Sequence, residues 1–277
     1  LGFTRLLFVN IDLINLSFVM EESLKIALIQ APLVWENPDG NRAVFAKKIA
    51  SVSADVDVII LPEMFTTGFT MFPDQIPPSE AQATVQWMKE LSHASNAAIV
   101  GSIVYREDAK NYNRLLFVAP DGGMSSYDKR HTFTLAGEHE KYTAGKEHLL
   151  ETYKGFTFCP LICYDLRFPV WSRNTMEYDV LIYVANWPKT RIAAWDTLLK
   201  ARAIENMAYC VGVNRVGADA NGHGYPGHSS VYDALGEQLV FSEEEGILEV
   251  TLYRKHISDT RNKLPFLADR DAFSLLG

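Results

Sequence analysis

The chain has 277 residues and a formal net charge of -8, from 34 acidic against 26 basic side chains, with no run of Lys or Arg. That balance excludes the electrostatic footprint of a nucleic-acid or anionic-membrane binder, and the length is enough to bury one sizeable core. Three cysteines, Cys159, Cys163 and Cys210, offer no paired disulfide framework and fit a reducing, cytoplasmic compartment.

The first segment, LGFTRLLFVNIDLINLSFV (1–19), is apolar but interrupted by Asn10, Asp12 and Asn15, and only Arg5 supplies positive charge. No small-residue cleavage site follows, so it reads neither as a signal peptide nor as a bilayer span. It is set aside as a non-native or upstream leader before Met20, and residues 20–277 read as a single domain, because no Pro-, Ser- or Gly-rich linker divides them. LKIALIQAPL (24–33) and VDVIILPE (56–63) are strand candidates on either side of an amphipathic NRAVFAKKIASVS. SEAQATVQWMKELSHAS (79–95) predicts a helix with Ser79 as its N-cap. AAIVGSIVYRE and NRLLFVAP are β-rich neighbours expected to pair antiparallel, and PDGG (120–123) is a turn signal before MSSYDK.

In the second half, FTFCPLI, DVLIYVAN and AYCVGVNRV predict further strands separated by helical stretches, and HSSVYDALGEQLVF predicts a hairpin around Leu235 and Gly236. ILEVTLY is the last strand candidate. Several of these runs are almost continuous in Val, Ile, Leu and Phe, which predicts an α/β protein of two sheets packed face to face with helices outside. The competing doubly wound nucleotide fold is disfavoured, since neither a G-x-G-x-x-G turn after the first strand nor a Walker lysine loop is present.

Chemistry concentrates at three predicted strand ends. In FTFCPLICYDLRFP (156–169), a strand running to Ile162 and a helix opened by Pro169 put Cys163 on the connection, with the backbone N-H of Tyr164 available to an oxyanion. On position alone, the commoner role of such a cysteine is that of a small buried hydrophobe. VIILPEMF carries Glu63 after an apolar run, and YDKRH carries Lys129 after another; each alone is ordinarily a solvated charge. Together they are complementary. A carboxylate can take the thiol proton, an ammonium can hold an oxyanion, and a thiol can attack an acyl carbon. No metal site is expected: Cys159 and Cys163 would lie roughly 13 Å apart along a strand, and the seven histidines add no short spacing. Arg202, Glu205 and Asn206 fall on one helix at spacings three and four and read as a local salt bridge with sheet-facing neighbours, and His228 reads as either a pocket residue or a structural one. Tyr127, Tyr164, Trp171 and Trp187 read as core or pocket wall.

LPEMF, YDKRH and LICYDLRFPVWSRN, in that order, resemble the three signature segments of the nitrilase superfamily of carbon-nitrogen hydrolases, and the resemblance runs from about Leu24 to Tyr253. YVANWP and LLKARAIEN bring it closest to the bacterial omega-amidases. The resemblance implies a four-layer αββα sandwich, the catalytic set Glu63, Lys129 and Cys163, a supporting Glu138 in LAGEHEKY, no metal or organic cofactor, and a homodimer. It also implies hydrolysis of the terminal amide of small keto-acid amides, 2-oxoglutaramate and 2-oxosuccinamate, through a thioester. A nitrilase, a carbamoylase or a non-catalytic binder on the same fold are the alternatives. Such a substrate carries a remote carboxylate, for which Arg167, Lys189, Arg191 and His131 are the candidate partners, with Asn186 and Trp187 shaping the wall. Arg167 alternatively pairs with Asp165 or Glu138. VYDALGE departs from the Asn-Pro-x-Gly turn of many relatives, leaving that hairpin's geometry open.

Overall fold

The computed structural model describes residues 22–275, so the leader expected over residues 1–19 lies outside the described residues. Strand β1 (Ser23–Gln30) alternates its apolar side chains between two layers: Leu24, Ile26 and Leu28 enter one cluster, Ala27 and Ile29 another. β2 (Val58–Ile60), β3 (Ala98–Glu107) and β4 (Lys110–Val118) repeat this two-residue period, which is the signature of a sheet covered on both faces. β5 (Met124–Asp128) completes the meander. Helices α1 (Pro38–Ile49) and α2 (Glu80–Ser95) cover the outer face through Phe45, Ile49, Ala81 and Met88.

The expected cap at Ser79 is not made. The Glu80 N-H closes on the Pro77 carbonyl at 2.9 Å, winding Ser79 into a helical conformation (φ -75°, ψ -10°), whereas an N-cap side chain needs an extended one. The strand predicted over 56–63 is confined to Val58–Ile60, and the chain beyond it turns into the site.

After a short α3 (Glu138–Lys141), the second half supplies β6 (Glu151–Tyr153), β7 (Phe156–Ile162), β8 (Val180–Ala185), α4 (Ile192–Asn206) and β9 (Tyr209–Asn214). A small ribbon of β10 (Val216–Ala218) and β11 (Gly224–Pro226) precedes β12 (Ser229–Tyr232) and β13 (Gln238–Ser242). β14 (Gly246–Tyr253) then returns to pair with β1, and α5 (Arg254–Lys263) follows. Two six-stranded sheets result, ordered β14-β1-β2-β3-β4-β5 and β13-β12-β9-β8-β7-β6. Their inner faces meet across contacts such as Phe117 on Phe158, with ring centroids 5.5 Å apart. Trp195, Leu199 and Ala203 of α4 cover the second sheet's outer side, where Gly212 admits them: a Cβ there would lie 2.4 Å from Leu199. The order helix, sheet, sheet, helix is the expected four-layer sandwich. No helix among the described residues is long and apolar enough to cross a membrane.

Pro169 does not open a helix. Cys163–Arg167 forms one 3-10 turn, and the chain then runs irregularly to β8, held by side chains: Trp171 Nε1 donates to Tyr127 Oη at 3.0 Å, and the Asn174 N-H to Asn206 Oδ1 at 2.8 Å. The late hairpin forms as predicted, with Asp233 Oδ1 accepting from the Leu235 and Glu237 N-H groups at 2.9 and 2.8 Å and Gly236 at φ 82°.

Candidate active site

β1, β2 and β3 run parallel, as do β7, β8 and β9, so their carboxyl ends gather at one edge of the sandwich. Glu63 lies just beyond β2 on a turn that Ser102 of β3 holds: the Met64 N-H donates to Ser102 Oγ at 2.9 Å and the Phe65 N-H to the Ser102 carbonyl at 3.1 Å. Lys129 follows β5 directly, its N-H donating to the Asn113 carbonyl at 3.0 Å and its carbonyl accepting from the Gly145 N-H at 2.9 Å. Only glycine fits at 145, because a Cβ would sit 2.1 Å from the Asp128 carbonyl oxygen. Cys163 follows β7 with φ 43°, a left-handed conformation that costs a non-glycine residue of order 1 kcal/mol or more and that clusters at functional sites.

Asp165 locks that turn. Its buried carboxylate accepts from the Ile162 N-H at 3.0 Å, Tyr127 Oη at 2.8 Å, and the His131 N-H and ring Nδ1 at 2.9 and 2.8 Å. One side chain thus ties the end of β7 to β5 and to the loop carrying Lys129.

Lys129 Nζ donates to Glu63 Oε1 at 2.9 Å and to Glu138 Oε1 and Oε2 at 3.1 and 2.9 Å, and all three residues are buried. Burial opposes the ammonium, but Glu138 and Glu63 outweigh it and hold Lys129 well above its ordinary range. Glu138 is itself raised, by burial first and by Glu63, against the lowering pull of Lys129. Cys163 borders this trio. Burial pushes its thiol far above the usual value, and Glu63 adds to the shift while Lys129 opposes it. The resting sulfur is therefore a thiol. An ammonium has three N-H donors; with one on Glu63 and one shared over Glu138, the third is left for the cavity that Lys129 lines.

That cavity has a volume of about 370 Å3, with Glu63, Lys129 and Cys163 at its polar end. Phe69, Phe133, Tyr164, Trp187 and Tyr225 form apolar walls. Arg167 and Arg191 reach it stacked on aromatic rings, the first 4.9 Å from Trp187 and the second 5.2 Å from Phe133. Neither guanidinium makes an ion pair or a side-chain hydrogen bond among the described residues. Asn186 sits immediately beyond β8, its N-H donating to Glu63 Oε2 at 2.8 Å and its amide to the Glu63 carbonyl at 2.7 Å. Asn186, Trp187, Tyr164 and Arg167 thus all border the cavity, and Arg167 pairs with neither Asp165 nor Glu138. His131 does not line the cavity: its ring bonds Asp165 and stacks on Phe168 at 3.6 Å. Lys189 is likewise absent from the cavity wall. Arg202 bonds Glu205 at 2.8 Å and His228 bonds Asp196 at 3.0 Å, both away from the site. Among the described residues no group of His, Cys, Asp and Glu side chains could hold a metal ion.

Asn113 and Asp165 went unnoticed as site residues in the sequence. For Asn113 a signal was present: it shares the inward parity of Leu115 and Phe117 on β4, and a polar residue at a core-facing position needs a partner. Asp165 offered none, because its partners come from β5, the Lys129 loop and β7.

The family model described as carbon-nitrogen hydrolase matches residues 25–262. An omega-amidase, YafV, of Yersinia enterocolitica is 45% identical over 258 residues, covering 92% of this chain and 99% of that protein. A 2-oxoglutaramate amidase of Bacillus subtilis is 31% identical over 250 residues, covering 88% and 96%. The crystal structure of XC1258 from Xanthomonas campestris, a CN-hydrolase superfamily protein with an arsenic adduct in its active site, superposes with a TM-score of 0.89. It is 39% identical and covers 91% of this chain and 99% of that one.

Proposed function

The chain belongs to the carbon-nitrogen hydrolase family, and from that premise we propose that it is an omega-amidase releasing ammonia from small dicarboxylic keto-acid amides such as 2-oxoglutaramate and 2-oxosuccinamate. The observation that carries this reading is a single cavity with a thiol, a carboxylate and an ammonium at one end and two unpaired guanidiniums on its walls. The first group suits acyl transfer. The second suits a carboxylate at the far end of the same substrate.

Cys163 Sγ attacks the amide carbon while Glu63 takes the thiol proton, forming the S-C bond and moving the carbonyl π pair onto oxygen. The third N-H of Lys129 and the N-H of Tyr164 hold that oxyanion, the latter early in its 3-10 turn where N-H groups lack partners within the turn. Collapse breaks the C-N bond, and the proton on Glu63 goes to the departing nitrogen as ammonia. Water then gives a proton to Glu63 and its hydroxyl to the thioester carbon; breaking the C-S bond returns the proton to sulfur. Glu138 keeps Lys129 charged and in place throughout.

The test compares ammonia release from 2-oxoglutaramate, its methyl ester and a neutral amide of equal length. Masking the remote carboxylate removes a charged hydrogen bond of about 1.5 to 3 kcal/mol, roughly a tenfold to hundredfold loss in kcat/KM. Arg167→Met and Arg191→Met should narrow the difference between acid and ester. Equal kcat/KM for acid and ester would reject the substrate while leaving the chemistry of Cys163 standing.

A further inference from the structure

We propose that Asn113 is a positioning residue that decides which oxygen of Glu63 accepts the proton, by saturating Oε1 and leaving the open lone-pair direction on Oε2. The inference rests on Glu63 acting as the base described above. A carboxylate oxygen presents two lone-pair directions. On Glu63 Oε1 both are filled, by Lys129 Nζ at 2.9 Å and by Asn113 Nδ2 at 2.8 Å. Oε2 accepts the Asn186 N-H at 2.8 Å; the Asn186 amide nitrogen lies 3.4 Å away and has its better bond, 2.7 Å, to the Glu63 carbonyl. One direction on Oε2 therefore remains for the thiol proton.

The same Asn113 amide reaches Glu138 Oε1 at 3.3 Å, so it bridges the two buried acids that share Lys129. The backbone carbonyl of Asn113 accepts the Lys129 N-H at 3.0 Å, so one residue of β4 touches the backbone of the lysine and the side chains of both glutamates. The amide can face only one way. Reversed, its oxygen would oppose two carboxylate oxygens; as it stands, the Asn113 Oδ1 has no partner among the described residues, and neither does the Oδ1 of Asn186. In the acylation step the S-H bond breaks toward Oε2 as the S-C bond forms, and Oε2 hands the proton to nitrogen as the C-N bond breaks. Removing the Asn113 donor opens Oε1 as a competing, misdirected proton site and leaves the ionised acids less well solvated.

Asn113→Ala and Asn113→Leu test this, the second keeping the side-chain volume and hence the packing of β4. kcat and KM are measured from pH 5 to 9 with an amide that the wild-type protein hydrolyses, and folding is checked by thermal melts. The expected result is a fall in kcat of at least about tenfold with KM within about threefold, as for an interaction realised at the proton transfer. The acidic limb of the kcat profile should also move to higher pH, because Asn113 donates to the ionised form of both acids. An acidic limb unmoved in the folded variants overturns the proposal, as does a loss carried by KM alone. Failure of the wild type on 2-oxoglutaramate counts against the substrate reading only, since this assay uses whichever amide is hydrolysed.

Discussion

Replacing Lys129 with Met removes the ammonium but keeps most of the stem, and leaves Glu63 and Glu138 buried without the cation each touches at 2.9 Å. Stripping one partner from a buried ion pair costs about 3 to 5 kcal/mol. Here the variant can recover part of that by protonating one carboxyl, since two like charges in one site cannot both stay ionised. Glu138 is the acid to do so: its carboxyl is already raised by burial and by Glu63, and Lys129 is the group that holds it down. A folded-state carboxyl raised above its unfolded value favours the fold at low pH, and that stability drains away as pH rises toward the folded value. The deficit of Lys129→Met relative to wild type should therefore be small at pH 5 and grow with a slope of at most about 1.4 kcal/mol per pH unit. At pH 8 it should reach about 3 to 5 kcal/mol, or roughly 6 to 20 °C in Tm at about 2 to 4 °C per kcal/mol. Thermal and urea melts of both proteins at pH 5, 6.5 and 8 measure it. A deficit independent of pH, or largest at pH 5, would refute the two-acid, one-lysine account.

Cys163→Ala should lower ammonia release by at least roughly 10³-fold without a comparable loss of Tm, because no other group replaces the nucleophile; substantial turnover would sink the covalent mechanism, and Cys159→Ala is the control. Asp165→Ala should cost about 3 to 5 kcal/mol in urea melts, because it strands the buried Tyr127 hydroxyl and the Ile162 and His131 N-H donors. Asp165→Asn should recover part of that, and a neutral Ala variant would show that the turn is held otherwise. Burial and Glu63 keep Cys163 a thiol at rest, so alkylation of the free protein by iodoacetamide should be slow at pH 6 to 7 and climb steadily with pH. Fast labelling, flat across that range, would mean a preformed thiolate.

The layers of this protein were legible in its sequence because they follow local rules. The two-residue period of LKIALIQ and its neighbours dictates strands covered on both faces, and PDGG and the Asp233 turn dictate reversals. Glu63, Lys129 and Cys163 were legible too, as polar residues where apolar strands stop, and the parallel order of the strands is what brings those ends together. The remainder depended on partners distant in the chain. Pro169 sits in a segment that local propensity winds into a helix, but Trp171 and Asn174 find hydrogen bonds on β5 and α4 that hold it irregular. Nothing local distinguishes Arg167 from His131 as a cation near the site; the tertiary structure sends Arg167 over Trp187 into the cavity and His131 onto Asp165 behind it. Asn113 shows the same limit: its parity marked it as buried, yet only packing two glutamates and a lysine from three other segments around it made its amide a bridge. A strand's period is written in neighbouring residues, whereas a buried charge is stabilised by whatever the fold brings within about 3 Å of it.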